Sequence, residues 1–140
     1  KRQVAYHDVD CGPESELGQV QGLPLYYEAN AKLYNTAMNI DAGETTLHGG
    51  LICSGDQFIT DKTQLQKIKD RYPEGLAVDM ESGALAQVCY LYGVPFLSFR
   101  IISDTPGADK HFDQYQNFWE TMADRSFGVT KALLEALTSM

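Results

Sequence analysis

No apolar run in the chain approaches the ~20 residues that span a bilayer, and the charged opening Lys1-Arg2-Gln3 is not followed by the apolar core of a signal peptide. Cysteine is sparse. Cys11, Cys53 and Cys89 are odd in number, far apart and without a CxxC pair, which argues against a disulfide framework or a thiolate metal cluster and predicts buried thiols in a reducing compartment. His7, His48 and His111 likewise lack the short paired spacing of a zinc site. Basic residues are few: 11 Lys and Arg against 19 Asp and Glu leave a formal charge of −8 and no basic cluster. Nucleic acid and an anionic membrane surface are therefore poor partners for this surface. Together these absences predict a cytoplasmic protein that uses no metal.

What is present suits one domain over residues 1–140. With 140 residues and 44% apolar content, the chain can bury roughly two thirds of the surface its unfolded form exposes. It opens on Lys1, and VAYHDVD reads like the middle of a strand or loop, so the chain is expected to be part of a longer one. Turn signals at Asp10 to Gly12, Pro13 and Gly22 to Pro24 predict short strands and a long loop over 1–28. Apolar residues at three- and four-residue spacing predict a helix over 29–40. A strand over 45–53 follows, with Gly49 and Gly50 marking a bulge or a close approach.

A helix from the capping residue Asp61 to Tyr72, a strand over 76–80 and a helix over 81–92 ending at Gly93 come next. That helix is expected to bury Leu85, Val88, Cys89 and Tyr92. A strand over 95–103 and one long helical stretch over 114–139 complete the order. Strand alternating with helix from Thr45 onward predicts a mostly parallel sheet covered on both faces.

Chemistry concentrates where these strands end. LSFRIISDTP at 97–106 stops in Ser103 and Asp104 before Thr105, Pro106 and Gly107 forbid extension. A carboxyl group at such a mouth, desolvated and hydrogen-bonded, can keep its proton near neutrality and serve as a donor. CSGDQFI at 53–59 and AVDMES at 77–82 also end apolar strands in small or polar residues. The carboxyl ends of neighbouring strands in an open α/β sheet face one crevice, so three strand ends are expected to converge on one small molecule.

Glu81 opens a helix, where an ionised carboxylate is stabilised and can either cap the helix or accept two ribose hydroxyl groups. Asp79, two residues earlier, is expected on the opposite face in a structural role. Met80 and Phe58 can line an apolar pocket or sit in the core; the Phe58 ring can stack on a heterocycle and the Ile59 backbone can read its edge. Asp56 and Ser54 are expected to shape a turn. Arg100, costly to bury alone inside an apolar strand, requires a carboxylate, with Glu81 or Asp79 as partner.

GLICSGDQFI, AVDMESGALAQVCYLYGVPF and SFRIISDTPG, in this order and spacing, resemble the second half of the 5′-methylthioadenosine/S-adenosylhomocysteine nucleosidases of the nucleoside phosphorylase superfamily. The resemblance covers nearly the whole chain and implies a three-layer α/β/α sandwich with a mostly parallel, mixed central sheet, here without its N-terminal part. It implies that Asp104, supported by Ser103, protonates adenine N7, that Met80 and Glu81 contact ribose, and that Phe58 and Ile59 hold adenine. It implies hydrolysis of the N-glycosidic bond without a cofactor, a homodimer, and a water-activating glutamate in the portion preceding this chain. The stretch CGPESELGQVQGLP at 11–24 lacks the aromatic residues expected of the loop that closes over a partner's alkylthio pocket. Another purine nucleoside hydrolase or phosphorylase of the same superfamily, a futalosine hydrolase among them, or an inactive nucleoside-binding fragment stand as alternatives.

Overall fold

A computed structural model describes the backbone of residues 1–140 and every side chain except those of His111 and Thr121. Strand β1 (Arg2–Tyr6) and strand β2 (Tyr26–Glu28) flank the long loop that the turn signals predict. Helix α1 (Ala31–Met38) starts where the Asn30 side chain accepts hydrogen bonds from the backbone N–H groups of Lys32 and Leu33. Strand β3 (Leu51–Ser54) and strand β4 (Gly75–Asp79) are joined through helix α2 (Lys62–Arg71), which Asp61 caps by accepting from Gln64 N. Helix α3 (Ser82–Tyr92) ends at Gly93, whose φ of 64° is the left-handed conformation that a Cβ disfavours.

The sheet runs β2-β1-β3-β4, with β1 antiparallel to β2, and β3 parallel to both β1 and β4. Period-two alternation sorts its side chains onto two faces. Ala5, Leu51 and Cys53 point to one face, where Ile59, Ile68 and Tyr72 from the α2 side complete a buried cluster. Val4 points to the other and packs with Tyr27, Ala86 of α3 and Phe96. Helices thus cover both faces, and the three-layer arrangement is the one the resemblance implies. Fully burying a residue such as Leu51, 2% exposed, stabilises the fold by about 1.5–3 kcal/mol. Among the described residues, no helix is long and apolar enough to cross a membrane.

Five expectations need correction. Residues 95–103 run without sheet pairing. Both neighbours of β1 are already taken by β2 and β3, so the segment is held instead by the Gln3 side chain, whose amide donates to Ser98 O (2.7 Å) and accepts from Ser98 N (2.9 Å), and by Asn30 N donating to Phe96 O (2.8 Å). Residues 45–50 also lie outside β3, and the glycines there mark a close approach: a Cβ on Gly49 would fall 2.0 Å from the Tyr34 hydroxyl.

The long helical stretch is two helices, α4 (His111–Thr121) and α5 (Ala123–Thr138), meeting at Met122; α5 buries Val129 and Leu133 and leaves Phe127 and Leu134 exposed. Helix α3 buries Ser82, Gly83 and Ala86 rather than Leu85, Val88 and Tyr92, which are exposed. The reason is proximity, because a Cβ on Gly83 would lie 2.7 Å from the Tyr6 ring. Only the small-residue face fits against the sheet. Cys11, too, is exposed rather than buried, while Cys53 is buried and Cys89 lies between; all three are free thiols.

Candidate active site

Three parallel strand ends are stitched together. His7 N donates to Ser54 O (2.8 Å) and Gly55 N donates to Asp79 O (3.0 Å), so the chain leaving β3 is bonded to the ends of β1 and β4. The Tyr6 hydroxyl donates to Asp56 Oδ1 and Asp56 N donates to Asp8 Oδ2, each at 2.7 Å, which fixes the turn at 55–56 as the sequence predicts for Asp56. Ser54 accepts from Gly83 N (2.8 Å) and anchors the head of α3. The contribution of Tyr6, His7 and Asp8 to this rim was not singled out from the sequence; three polar-tipped residues closing a buried strand were the available signal.

Burial, then the hydrogen bond to Asp56, push the Tyr6 phenol up to about 12, so it stays a donor at physiological pH. Burial also pushes the Cys53 thiol up to about 12, which makes it inert as a nucleophile. His7 is 6% exposed and its Nε2 has no hydrogen-bond partner among the described residues. Burial is the main cause holding its imidazole below its ordinary 6.5; the Arg71 charge acts the same way, and the carboxylates of Asp8, Asp56 and Asp79 oppose. The unfolded chain therefore binds a proton at His7 before the folded chain does. Folding stability should be complete above pH 6.5 and should fall as pH drops from there through the lowered folded value. Denaturant melts across that range, compared with His7→Gln, should show this dependence weakened in the variant.

Gly55 passes directly beneath this imidazole, and a Cβ there would lie 2.3 Å from His7 Nε2 and 2.8 Å from Asp8 Cγ. Gly55→Ala should therefore lower stability by about 1–3 kcal/mol, the range for overpacking a buried site, read as a reduced denaturation midpoint at unchanged m-value.

Glu81 stands at the N-cap of α3 but makes no side-chain cap bond. Its Oε2 instead accepts from Arg100 Nη2 (2.9 Å) and from Met80 N (3.3 Å). Arg100 Nε lies 2.9 Å from Asp79 Oδ2, so one guanidinium holds both carboxylates. Arg100 has the carboxylate partnership the sequence requires. The expected opposite placement of Asp79 does not hold: Asp79 ends β4, Glu81 caps α3, and both carboxylates reach the same cation. The Glu81 side chain is 62% exposed and the Asp79 side chain 9%, so the pair presents one carboxylate outward and keeps one inside.

Ser103 donates to Asp104 Oδ1, and both residues are half-buried. Beyond them, Thr105 N donates to the Gln114 side chain of α4 (3.1 Å), and the Phe58 ring meets the Tyr115 ring of α4 edge-on with centroids 5.9 Å apart. Ile59 is buried in the α2-side cluster, while Phe58 and Met80 are about half exposed. Helix α4 thus gathers Phe58 and the segment after Asp104, and Arg100 gathers Asp79 and Glu81. Four residue steps separate Arg100 from Asp104, a reach of at most about 14 Å. A cavity of about 570 Å³ lies elsewhere, between α1 and the segment 97–102 over the Ile52 and Ala77 face; Arg100 is in its wall, but none of Phe58, Ile59, Met80, Glu81, Ser103 or Asp104 lines it.

The family model for the phosphorylase superfamily matches residues 2–135. A 5′-methylthioadenosine/S-adenosylhomocysteine nucleosidase of Chromohalobacter salexigens is 37% identical over 138 residues, covering 96% of this chain and 58% of its own length. The solved structure of such a nucleosidase from Neisseria meningitidis, in complex with methylthio-immucillin-A, superposes with a TM-score of 0.84 at 30% identity, covering 95% of this chain and 58% of that one. Futalosine hydrolase of Helicobacter pylori superposes with a TM-score of 0.82 at 28% identity, covering 95% and 57%. The chain spans under three fifths of the length of these relatives.

Proposed function

The chain belongs to the phosphorylase superfamily, and from that membership we propose that the protein it represents hydrolyses the N-glycosidic bond of 5′-methylthioadenosine and S-adenosylhomocysteine, releasing adenine and the thioribose product. The observation that carries this reading is the match, over 96% of the chain, to a nucleosidase of that name, in a chain that carries SGDQFI, DMES and IISD.

Adenine is a poor leaving group as an anion, so a proton must reach N7 as the bond breaks. Asp104 is the donor, and Ser103, already hydrogen-bonded to its Oδ1, orients it. The sugar gains oxocarbenium character at the same moment. Glu81 accepts the ribose 2′ and 3′ hydroxyls and sets its negative charge against that developing cation. Met80 contacts the ribose from the next residue. Phe58 stacks on adenine and the Ile59 backbone reads its edge. The 2.9 Å bond between Arg100 and Glu81 supports the reading, because it turns a carboxylate that would otherwise cap a helix outward from it. Water is the nucleophile, and the glutamate that activates it is assigned to no residue of this chain. The protein acts in the cytoplasm as a homodimer of single-domain subunits, without metal or organic cofactor.

The test is release of free adenine from methylthioadenosine by the full-length protein. No release from folded protein overturns the reading. The likeness to futalosine hydrolase favours one second reading, a hydrolase of another adenosine derivative through the same base contacts, and adenine release from futalosine but not from methylthioadenosine would select it.

A further inference from the structure

The ion pair at the head of α3 does not end at Arg100 and its two carboxylates. Asp79 Oδ2 also accepts from the Ser82 hydroxyl, and Asp79 Oδ1 accepts from Ser82 N at 3.3 Å. The Ser82 oxygen lies 2.7 Å from that of Ser98. A hydroxyl has one proton, and a carboxylate can only accept, so the Ser82 proton goes to Asp79 and the Ser98 proton goes to Ser82. Ser98 is itself clamped at both backbone groups by the Gln3 amide, and Gln3 is 6% exposed. Capping α3 needs only the Oδ1 contact. The second oxygen is engaged for something else.

We propose that Asp79, Ser82 and Ser98 are positioning residues, a part-buried relay that fixes the Arg100 guanidinium and through it the carboxylate of Glu81. The inference rests on the assignment of Glu81 to ribose. Guanidinium is planar and rigid, so holding Nε against Asp79 determines where Nη2 points. Nη2 meets Glu81 at 2.9 Å, and Glu81, 62% exposed, has Met80 N as its other donor among the described residues. Without the relay, a solvent-exposed carboxylate on a flexible stem would sample many rotamers, and the entropy of ordering it would fall on substrate binding. Two carboxylates on one cation also leave a net negative charge beside the proposed sugar site, the sign that an oxocarbenium ion requires.

The experiment compares the full-length wild type with Asp79→Asn and Ser98→Ala, using adenine release from methylthioadenosine and competitive inhibition by free adenine. Asp79→Asn should raise KM for the nucleoside about tenfold while the adenine inhibition constant stays within about twofold, because adenine lacks the ribose that Glu81 holds. Ser98→Ala should shift KM about threefold in the same direction, and it carries the test if Asp79→Asn does not fold. In a Glu81→Gln background, Asp79→Asn should cost less than about twofold more. Equal weakening of nucleoside and adenine, or full additivity with Glu81→Gln, overturns the relay.

A wild type that releases no adenine overturns the nucleosidase reading instead, and the relay is then judged by the Arg100 Nε–H signal in nitrogen-15 spectra. Slow exchange in the wild type that becomes fast in Asp79→Asn supports it. Fast exchange in both overturns it.

Discussion

Asp104→Asn in the full-length protein should lower kcat for adenine release by about 10²–10⁴-fold, the range general acid catalysis supplies, while free adenine still binds within a few-fold of the wild type. The substitution separates two things a carboxyl group can do at this position. An amide preserves size and can still donate an N–H to a ring nitrogen, so ground-state contact survives. It has no proton to surrender as the glycosidic bond breaks. Ser103 can still donate to the side-chain oxygen, as it does to Asp104 Oδ1, so the variant should keep its local geometry. Rapid quench of a single turnover would place the loss in the chemical step. A kcat within about threefold of the wild type would move the general acid to another residue, and a parallel loss of adenine affinity would make Asp104 a binding group.

Sequence reasoning reached the elements whose ends carry their own chemistry. Asp61 and Gly93 marked a helix start and a helix stop because a cap is a local hydrogen bond or a local backbone conformation, readable from a few neighbouring residues. Burial was harder. Leu85, Val88 and Tyr92 follow a helical stripe and look like a core face, yet the face turned to the sheet is Ser82, Gly83 and Ala86, because the strand lies too close for larger side chains. Interaxial distance is a tertiary property, and no periodicity reveals it. The segment 95–103 has strand composition but makes no ladder: it lies against β1, which already pairs with β2 and β3, and the Gln3 side chain takes up the Ser98 backbone groups instead.

At the candidate site, the demand of Arg100 for a carboxylate followed from the cost of leaving a guanidinium unpaired. That it takes two, one inside and one outside, depends on how the fold sets β4 and the head of α3 beside it. The rim made by Tyr6, His7 and Asp8 was legible in composition and still missed, because the function of a polar strand end depends on which other strand ends lie beside it.

Glu81→Gln should cost about 10²-fold in kcat/KM, about 2.7 kcal/mol of transition-state stabilisation, while unfolding free energy changes by no more than about 0.5 kcal/mol. The two halves of this prediction come from the same geometry. The Glu81 side chain is 62% exposed, and its pair with Arg100 is screened by solvent, so losing the charge should barely register in a melt. Arg100 also keeps its second carboxylate at Asp79, so no cation is left stranded. In the transition state the balance reverses. With the proposed ribose contact, bound substrate would exclude water from the carboxylate, two hydroxyl protons would share its lone pairs, and the sugar beside it would carry positive charge. Glutamine offers one acceptor oxygen and no charge, and its amide protons face donors on both sides. A residue whose removal leaves the fold untouched but disables the reaction is one placed for chemistry. If Glu81→Gln instead destabilised the protein by a kcal/mol or more with kcat/KM intact, Glu81 would be a helix-head residue after all, and the ribose contact would have to be sought among other groups at the strand ends.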